Sequence, residues 1–254
     1  MSSADLLVTP TTHTRTRRFA IAWRDRQRPA ITPVGVLDHL PFGYRFQYLE
    51  NIDETAPRLR PFVGFPDFAR VYTSARLWPF FDLRVMDRKR PDFPEYVRWL
   101  GLNPDASTLD ILSRSGGEQK GDSVYLAEEP KVAEDGTTEA VFLARGVRFA
   151  LREHSTENVA YSLRAGDPLV LVDDDKNEVN AAALLLETPQ GAAIGWIPDL
   201  LIDYARQVRT GGGAVELLQN NLRAPWHARL LIRISGQVAP GTAVFTGSAW
   251  PSLD

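Results

Sequence analysis

The chain has 254 residues, of which 44% are hydrophobic and 24% are charged. These fractions are typical of globular proteins and exclude a mainly disordered chain, and the length fits two average domains. The lack of cysteine excludes disulfides, thiolate metal sites and cysteine nucleophiles. The net charge of −3 excludes bulk electrostatic attraction to nucleic acid, so any such binding requires a local patch.

The N-terminal segment argues against secretion or membrane insertion. Asp5 stands where a signal peptide carries basic residues, and the apolar run after it is short. No stretch approaches the ~18 apolar residues of a membrane span. We therefore expect a cytoplasmic protein with no membrane partner. Residues 1–14, rich in Ser and Thr, are predicted to be a disordered tail.

Residues 15–127 are predicted to form a first domain that begins with strands. Residues 18–23 and 44–48 alternate apolar and polar positions, and residues 31–37 form an apolar run between them. This pattern is typical of an antiparallel meander.

Three short helices are expected after these strands. Pro79 fits the first turn of a helix that runs to about Met86. Pro94 opens a second helix, which Gly101 ends. Ser107 and Asp110 have the spacing of a capping box for a third helix, which stops at Gly116 and Gly117.

A polar, turn-forming stretch at residues 128–139 is predicted to be a linker. Beyond it lies a strand-rich second domain at residues 140–236, with apolar runs at 141–144, 168–172, 181–186, 193–197 and 229–234. A helix is expected from Asp199, as N-cap, to Val208, with Gly211 as the stop. Residues 237–254 are predicted to be a C-terminal tail, and the fold class is α+β.

The motifs of known catalytic and metal centres are missing from the sequence. The four histidines are scattered, without the spacing of metal ligands. Residues 173–175 are three aspartates that favour a solvated acidic turn over a cation site, because EF-hand spacing is lacking. Residues 115–121 resemble a phosphate loop only superficially, since no Ser or Thr follows the lysine. We expect no enzyme activity, no metal and no cofactor, with an enzyme on an unrecognised site as a minor alternative.

Residues 33–37, 44–49 and 77–82 resemble, in that order, the N-terminal subdomain of HipA-type toxin kinases. The resemblance covers about residues 17–115, and the kinase body that follows in that family is not present. It implies a docking role toward a separate HipA-like kinase. We expect the anchor at an apolar segment, with Trp78, Phe80, Phe81 and Arg84 as partner-binding residues. Alternatively, Phe80 and Phe81 are core residues and Trp78 alone is exposed.

Residues 146–149, 163–169, 177–183 and 195–198 resemble the landmarks of a HIRAN domain over about residues 140–236. The resemblance implies a modified OB-like β-barrel with flanking helices, which in some members binds the 3′ end of single-stranded DNA. It places Arg148 and Phe149 as basic and aromatic DNA contacts. Asn177 and Asn180 are further candidate DNA contacts that the resemblance implies, in a segment that departs from the family pattern because Val179 replaces an aromatic residue. Alternatively, Phe149 and Trp196 are core aromatic residues and Arg148 is a surface charge.

Two functions follow from these resemblances. The first is a non-catalytic antitoxin of a toxin–antitoxin system, which binds and inhibits a HipA-like serine/threonine kinase toxin. The second is a single-stranded DNA-binding module in DNA repair or phage defence, and the two functions are compatible. Arg17 and Arg18 are candidate DNA contacts within an N-terminal group of arginines that also contains Arg15, Arg24, Arg26 and Arg28. Alternatively, these arginines are solvated charges of an edge strand.

Overall fold

The computed structural model describes residues 16–25, 27, 31–119, 121, 123–246 and 250–251, so the predicted tail at residues 1–14 lies outside the described residues. The chain is an α+β protein with two antiparallel sheets and short helices. Each sheet covers a buried apolar cluster, and a third cluster lies between helices of the first domain and the second sheet.

The first sheet has five strands in the order β4-β3-β2-β1-β5. The strands are β1 (Arg17–Arg24), β2 (Ile31–Leu40), β3 (Gly43–Tyr48), β4 (Tyr72–Ser74) and β5 (Val124–Glu128). The predicted meander is confirmed, because β1 pairs with β2 and β2 with β3, both antiparallel. Phe19, Leu37 and Phe46 are in register across these strands and fully buried, so they begin the core of this domain.

Four short helices accompany this sheet: α1 (Ile52–Thr55), α2 (Pro79–Asp82), α3 (Phe93–Trp99) and α4 (Thr108–Ser115). The capping box at Ser107 and the stop at Gly116 are both present. Helix α2 ends earlier than predicted. Beyond Asp82, Arg84 and Val85 donate to carbonyls three residues back, so the chain continues in turns and not as a helix toward Met86.

The second sheet has seven strands in the order β10-β9-β8-β11-β12-β7-β6. They are β6 (Lys131–Val132), β7 (Thr137–Leu143), β8 (Pro168–Asp173), β9 (Leu184–Glu187), β10 (Ala193–Trp196), β11 (Ala214–Asn220) and β12 (Leu230–Gln237). A bridge between Arg145 and Trp196, with N···O distances of 2.8 and 2.9 Å, joins the chain beyond β7 to β10. The sheet is therefore curled, but in the described part of the chain it does not form a closed barrel.

Helices α5 (Val147–Glu153), α6 (Glu157–Ser162) and α7 (Ile202–Thr210) belong to the second domain. Asp199 is not an N-cap as predicted, because it begins a 3₁₀ turn, Asp199–Leu201, before α7. Its carboxylate instead accepts a hydrogen bond from the Asn180 amide. Gly211 does end α7. No described helix has the length and apolarity needed to cross a lipid bilayer.

The two domains are packed together more closely than the predicted linker suggests. Residues 128–139 contain β6 and the start of β7. Helix α3 lies against the second domain, where the Asn221 amide donates to the Trp99 carbonyl at 2.8 Å. The predicted C-terminal tail is packed in its described part: Phe245 is buried, and its N–H donates to the Glu129 carboxylate at 3.1 Å.

Candidate nucleic-acid interface

Helix α5 presents a basic and an aromatic side chain on its outer face. Val147, Ala150 and Leu151 are buried beneath the helix, at the spacing of one helical face. Arg148 and Phe149 point away from that core, and the Phe149 ring is 74% exposed. A largely exposed ring beside an arginine is a combination that can stack on a base and pair with a phosphate.

The start of α5 is held by the indole of Trp196. Gly146 precedes the helix with a left-handed backbone, φ 59°, and a Cβ at this position would lie 2.6 Å from the indole ring. The Trp196 Nε1–H donates to Asp174 Oδ2 at 2.8 Å, and the Arg145–Trp196 bridge lies beside this contact. The position of Arg148 and Phe149 is thus set by a rigid strand end.

Asn177 and Asn180 lie in the loop that carries Asp174, so the structure brings them toward the Trp196 end of α5. The Asn177 amide donates to Asp174 Oδ2 at 2.9 Å, and its oxygen accepts from the Val179 and Asn180 N–H groups. The Asn180 amide donates to Asp199, as described above. Both side chains therefore shape the loop through internal hydrogen bonds, while Val179 is 48% exposed beside them.

Arg17 and Arg18, which were predicted as DNA contacts, are ion-paired within the first domain. Arg17 is ion-paired with Glu128 and Asp110, each at 2.7 Å. Arg18 is 7% exposed and is ion-paired with Asp38 at 2.8 Å. Their guanidinium groups hold the first domain together because their partners lie on other elements of that domain. Arg15, Arg26 and Arg28 lie outside the described residues.

The predicted partner-binding residues are only partly exposed. Phe81 is fully buried among the aromatic rings of the first core, and Arg84 is 7% exposed with its Nη1 bonded to the Gly117 carbonyl at 3.1 Å. Neither can serve as an exposed anchor. Trp78 and Phe80 are half-buried, and Leu83, which was not predicted, is 71% exposed. The apolar residues that precede Leu83 in the sequence are the signal that could have identified it.

A second basic and aromatic group, which sequence reasoning missed, lies next to α5. The Arg229 guanidinium lies 4.6 Å from the ring centre of Trp226 and 5.8 Å from that of Tyr161. Trp226 belongs to a 3₁₀ helix, Trp226–Ala228, and Tyr161 belongs to α6. The spacing of Trp226 and Arg229, three residues apart, was the available signal, but Tyr161 is distant in sequence.

The acidic turn at residues 173–175 is engaged with α7. Asp173 is ion-paired with Arg206 and Arg209, both at 2.8 Å. The hydrogen bond from Arg206, followed by that from Arg209, lowers the pKa of the Asp173 carboxyl below its ordinary value. Among the described residues, no group of three or more histidines and carboxylates has a metal-binding arrangement.

Comparisons with known proteins do not assign the chain to a family. No family model matches it, and no curated protein gives a significant match. A crystal structure of a protein from Lactobacillus plantarum aligns with 17% identity and a TM-score of 0.28, covering 40% of this chain and 100% of that one. A similarity of this size carries no argument about fold or function.

Proposed function

We propose that this chain is a non-catalytic binding protein whose second domain, of the HIRAN type, binds single-stranded DNA on the outer face of α5. The observation that carries the proposal is the 74% exposed ring of Phe149 next to the exposed Arg148. An exposed aromatic ring leaves apolar surface in contact with water, which is unfavourable. A base that stacks on the ring removes this surface from water. The adjacent guanidinium suits the phosphate of the same nucleotide.

The test measures fluorescence anisotropy of a labelled oligothymidylate with the full chain. Phe149→Ala should weaken binding by about 5- to 150-fold, since stacking on an aromatic ring contributes ~1–3 kcal/mol per base. Phe42→Ala is the matched control, because Phe42 is 96% exposed on the turn between β2 and β3. Equal affinities of the two variants would refute the proposal.

A charge variant adds a second readout. Binding affinity falls as the salt concentration rises, and each phosphate contact on a single strand adds ~0.7 to the steepness of this fall on a log–log plot. Arg148→Glu should therefore make the fall shallower by ~0.7, the value expected for one lost contact. Arg60→Glu changes an exposed arginine of the first domain and is the control. An oligonucleotide with a blocked 3′ end then shows whether the site prefers a free end.

A second candidate function is the restraint of a HipA-like kinase toxin, bound through the first domain. It is favoured by the exposure of Leu83 beside the half-buried Trp78 and Phe80, which together form an apolar surface next to α2. Such a surface suits an apolar anchor of a protein partner.

Co-expression with a HipA-like kinase that lacks this subdomain tests the second function. A stable complex that relieves growth arrest, and that Leu83→Glu disrupts, would support it. Val179→Glu, in the second domain, is the control and should leave the complex intact. Failure to form a complex in a pull-down would exclude the antitoxin function for that kinase.

A further inference from the structure

Among the described residues, Arg229 is a buried cation without an anionic partner. It is 7% exposed, and its Nη2 reaches the Ala224 carbonyl only at 3.4 Å. Within the described residues, its Nε and Nη1 have no hydrogen-bond partner, and no carboxylate forms an ion pair with it. Burial of an uncompensated charge is costly, and a bound anion would remove that cost.

The surroundings of Arg229 have the chemistry of a nucleotide site. Tyr161, 52% exposed, is one of its two neighbouring rings and also lines a surface cavity of about 400 Å³. Arg164 and the half-exposed Leu222 line the same cavity, whereas none of its described lining residues is Asp or Glu. The region combines cations, the exposed ring of Tyr161 and apolar surface, as single-strand binding grooves do.

The three residues Tyr161, Trp226 and Arg229, here called the Arg229 platform, lie on or beside elements that pack against α5, the helix that carries Phe149. Helix α5 packs against α6, which carries Tyr161, and against the 3₁₀ helix that carries Trp226. The Asn220 amide donates to the carbonyls of Ala160 at 2.8 Å and Leu163 at 3.2 Å, which fixes α6 to β11. A strand that leaves Phe149 can therefore continue onto the platform.

We propose that the Arg229 platform binds a second nucleotide of the same DNA strand, with its phosphate at the guanidinium and its base on the exposed ring. The proposal rests on the function proposed for the Phe149 face. Because Nε and Nη1 are buried, the phosphate reaches them only when a neighbouring side chain moves. DNA binding should therefore change the environment, and thus the fluorescence, of Trp226.

The experiment compares a short oligothymidylate of about 4 nucleotides with a longer one of about 12, both within the range of site sizes of OB-type folds. Arg229→Met keeps the volume and removes the charge. In the wild-type chain the longer strand should bind about ten-fold more tightly than the short one, and Arg229→Met should abolish this difference. The salt dependence of binding of the longer strand should become shallower by ~0.7, while the affinity for the short strand stays unchanged. Tyr161→Ala, at a half-exposed position, should also weaken only the longer strand.

Stability separates a binding role from a packing role. Without DNA, Arg229→Met should have an unchanged or higher urea midpoint, because an unpaired buried charge is removed. A lower midpoint together with equal loss for both strands would mean that Arg229 only packs between the rings, and would overturn the proposal. If the wild-type chain binds the short and the longer strand with equal affinity, the proposal for the Arg229 platform is refuted, but the function proposed for the Phe149 face is not. Binding of neither strand would refute the function of the Phe149 face as well.

Discussion

Substitution of Gly146 should disturb both the stability of the second domain and the position of the proposed DNA-binding face. An alanine there adopts a left-handed backbone, which costs about 1–2 kcal/mol. Its Cβ would also lie 2.6 and 2.7 Å from two atoms of the Trp196 ring, which the Asp174 hydrogen bond holds in place. Overpacking of this kind costs about 1–3 kcal/mol. Gly146→Ala should therefore lower the free energy of unfolding by about 2–5 kcal/mol.

Gly212→Ala isolates the contribution of the clash. Gly212 also has a positive φ, +73°, but a Cβ there meets no atom within 4 Å. Urea denaturation followed by circular dichroism should show a loss of about 1–2 kcal/mol for Gly212→Ala and a clearly larger loss for Gly146→Ala. Gly146→Ala should also weaken binding of oligothymidylate, because the start of α5 is displaced. Equal losses in the two variants would refute the claim that Trp196 fixes this helix.

Two further predictions concern the first domain. Asp38 is 1% exposed and accepts hydrogen bonds from Arg18 at 2.8 Å and from Arg45 at 3.0 Å. Because removal of one partner leaves a buried charge unpaired, Asp38→Ala should lower the free energy of unfolding, measured by urea denaturation, by about 3–5 kcal/mol. Burial raises the pKa of Tyr48 to about 12. Since the folded state holds this proton more tightly than the unfolded chain, stability should be full below pH ~10 and fall toward pH ~12, and Tyr48→Phe should reduce that decline.

Controls for these predictions come from the same domain. Asp92→Asn breaks the exposed pair with Arg90 and should leave the urea midpoint unchanged. A similar midpoint for Asp38→Ala and Asp92→Asn would contradict a structural role for the Asp38 cluster. At neutral pH, Tyr48→Phe also loses the hydrogen bond to the Phe65 carbonyl, so its pH profile is compared after normalisation to pH 7. An unchanged decline above pH ~10 would contradict the assignment to Tyr48.

Local sequence signals predicted those parts of the fold that local interactions determine. The capping box at Ser107 and the proline at the start of α3 were predictable because their partners lie within a few residues. Helix α5 was missed, although Val147, Ala150 and Leu151 have helical spacing, because it has only seven residues and follows a glycine without a capping side chain.

The roles of several candidate site residues depended on partners far away in the chain. Arg17 resembles a free basic residue in sequence, but its carboxylate partners, Asp110 and Glu128, lie about one hundred positions away. Phe80 and Phe81 are equally apolar, and only the rings of the first core determine that Phe81 is fully buried. The Arg229 platform likewise joins residues of α6 and the β11–β12 connection, which no local pattern links.

The most direct test of DNA binding on α5 is photo-cross-linking of an oligothymidylate to the full chain, with the attachment sites mapped by mass spectrometry. The account predicts cross-links in the peptides that contain Arg148 and Phe149, and their loss when unlabelled single-stranded DNA competes. Cross-links confined to the first sheet, or none at saturating DNA, would contradict it.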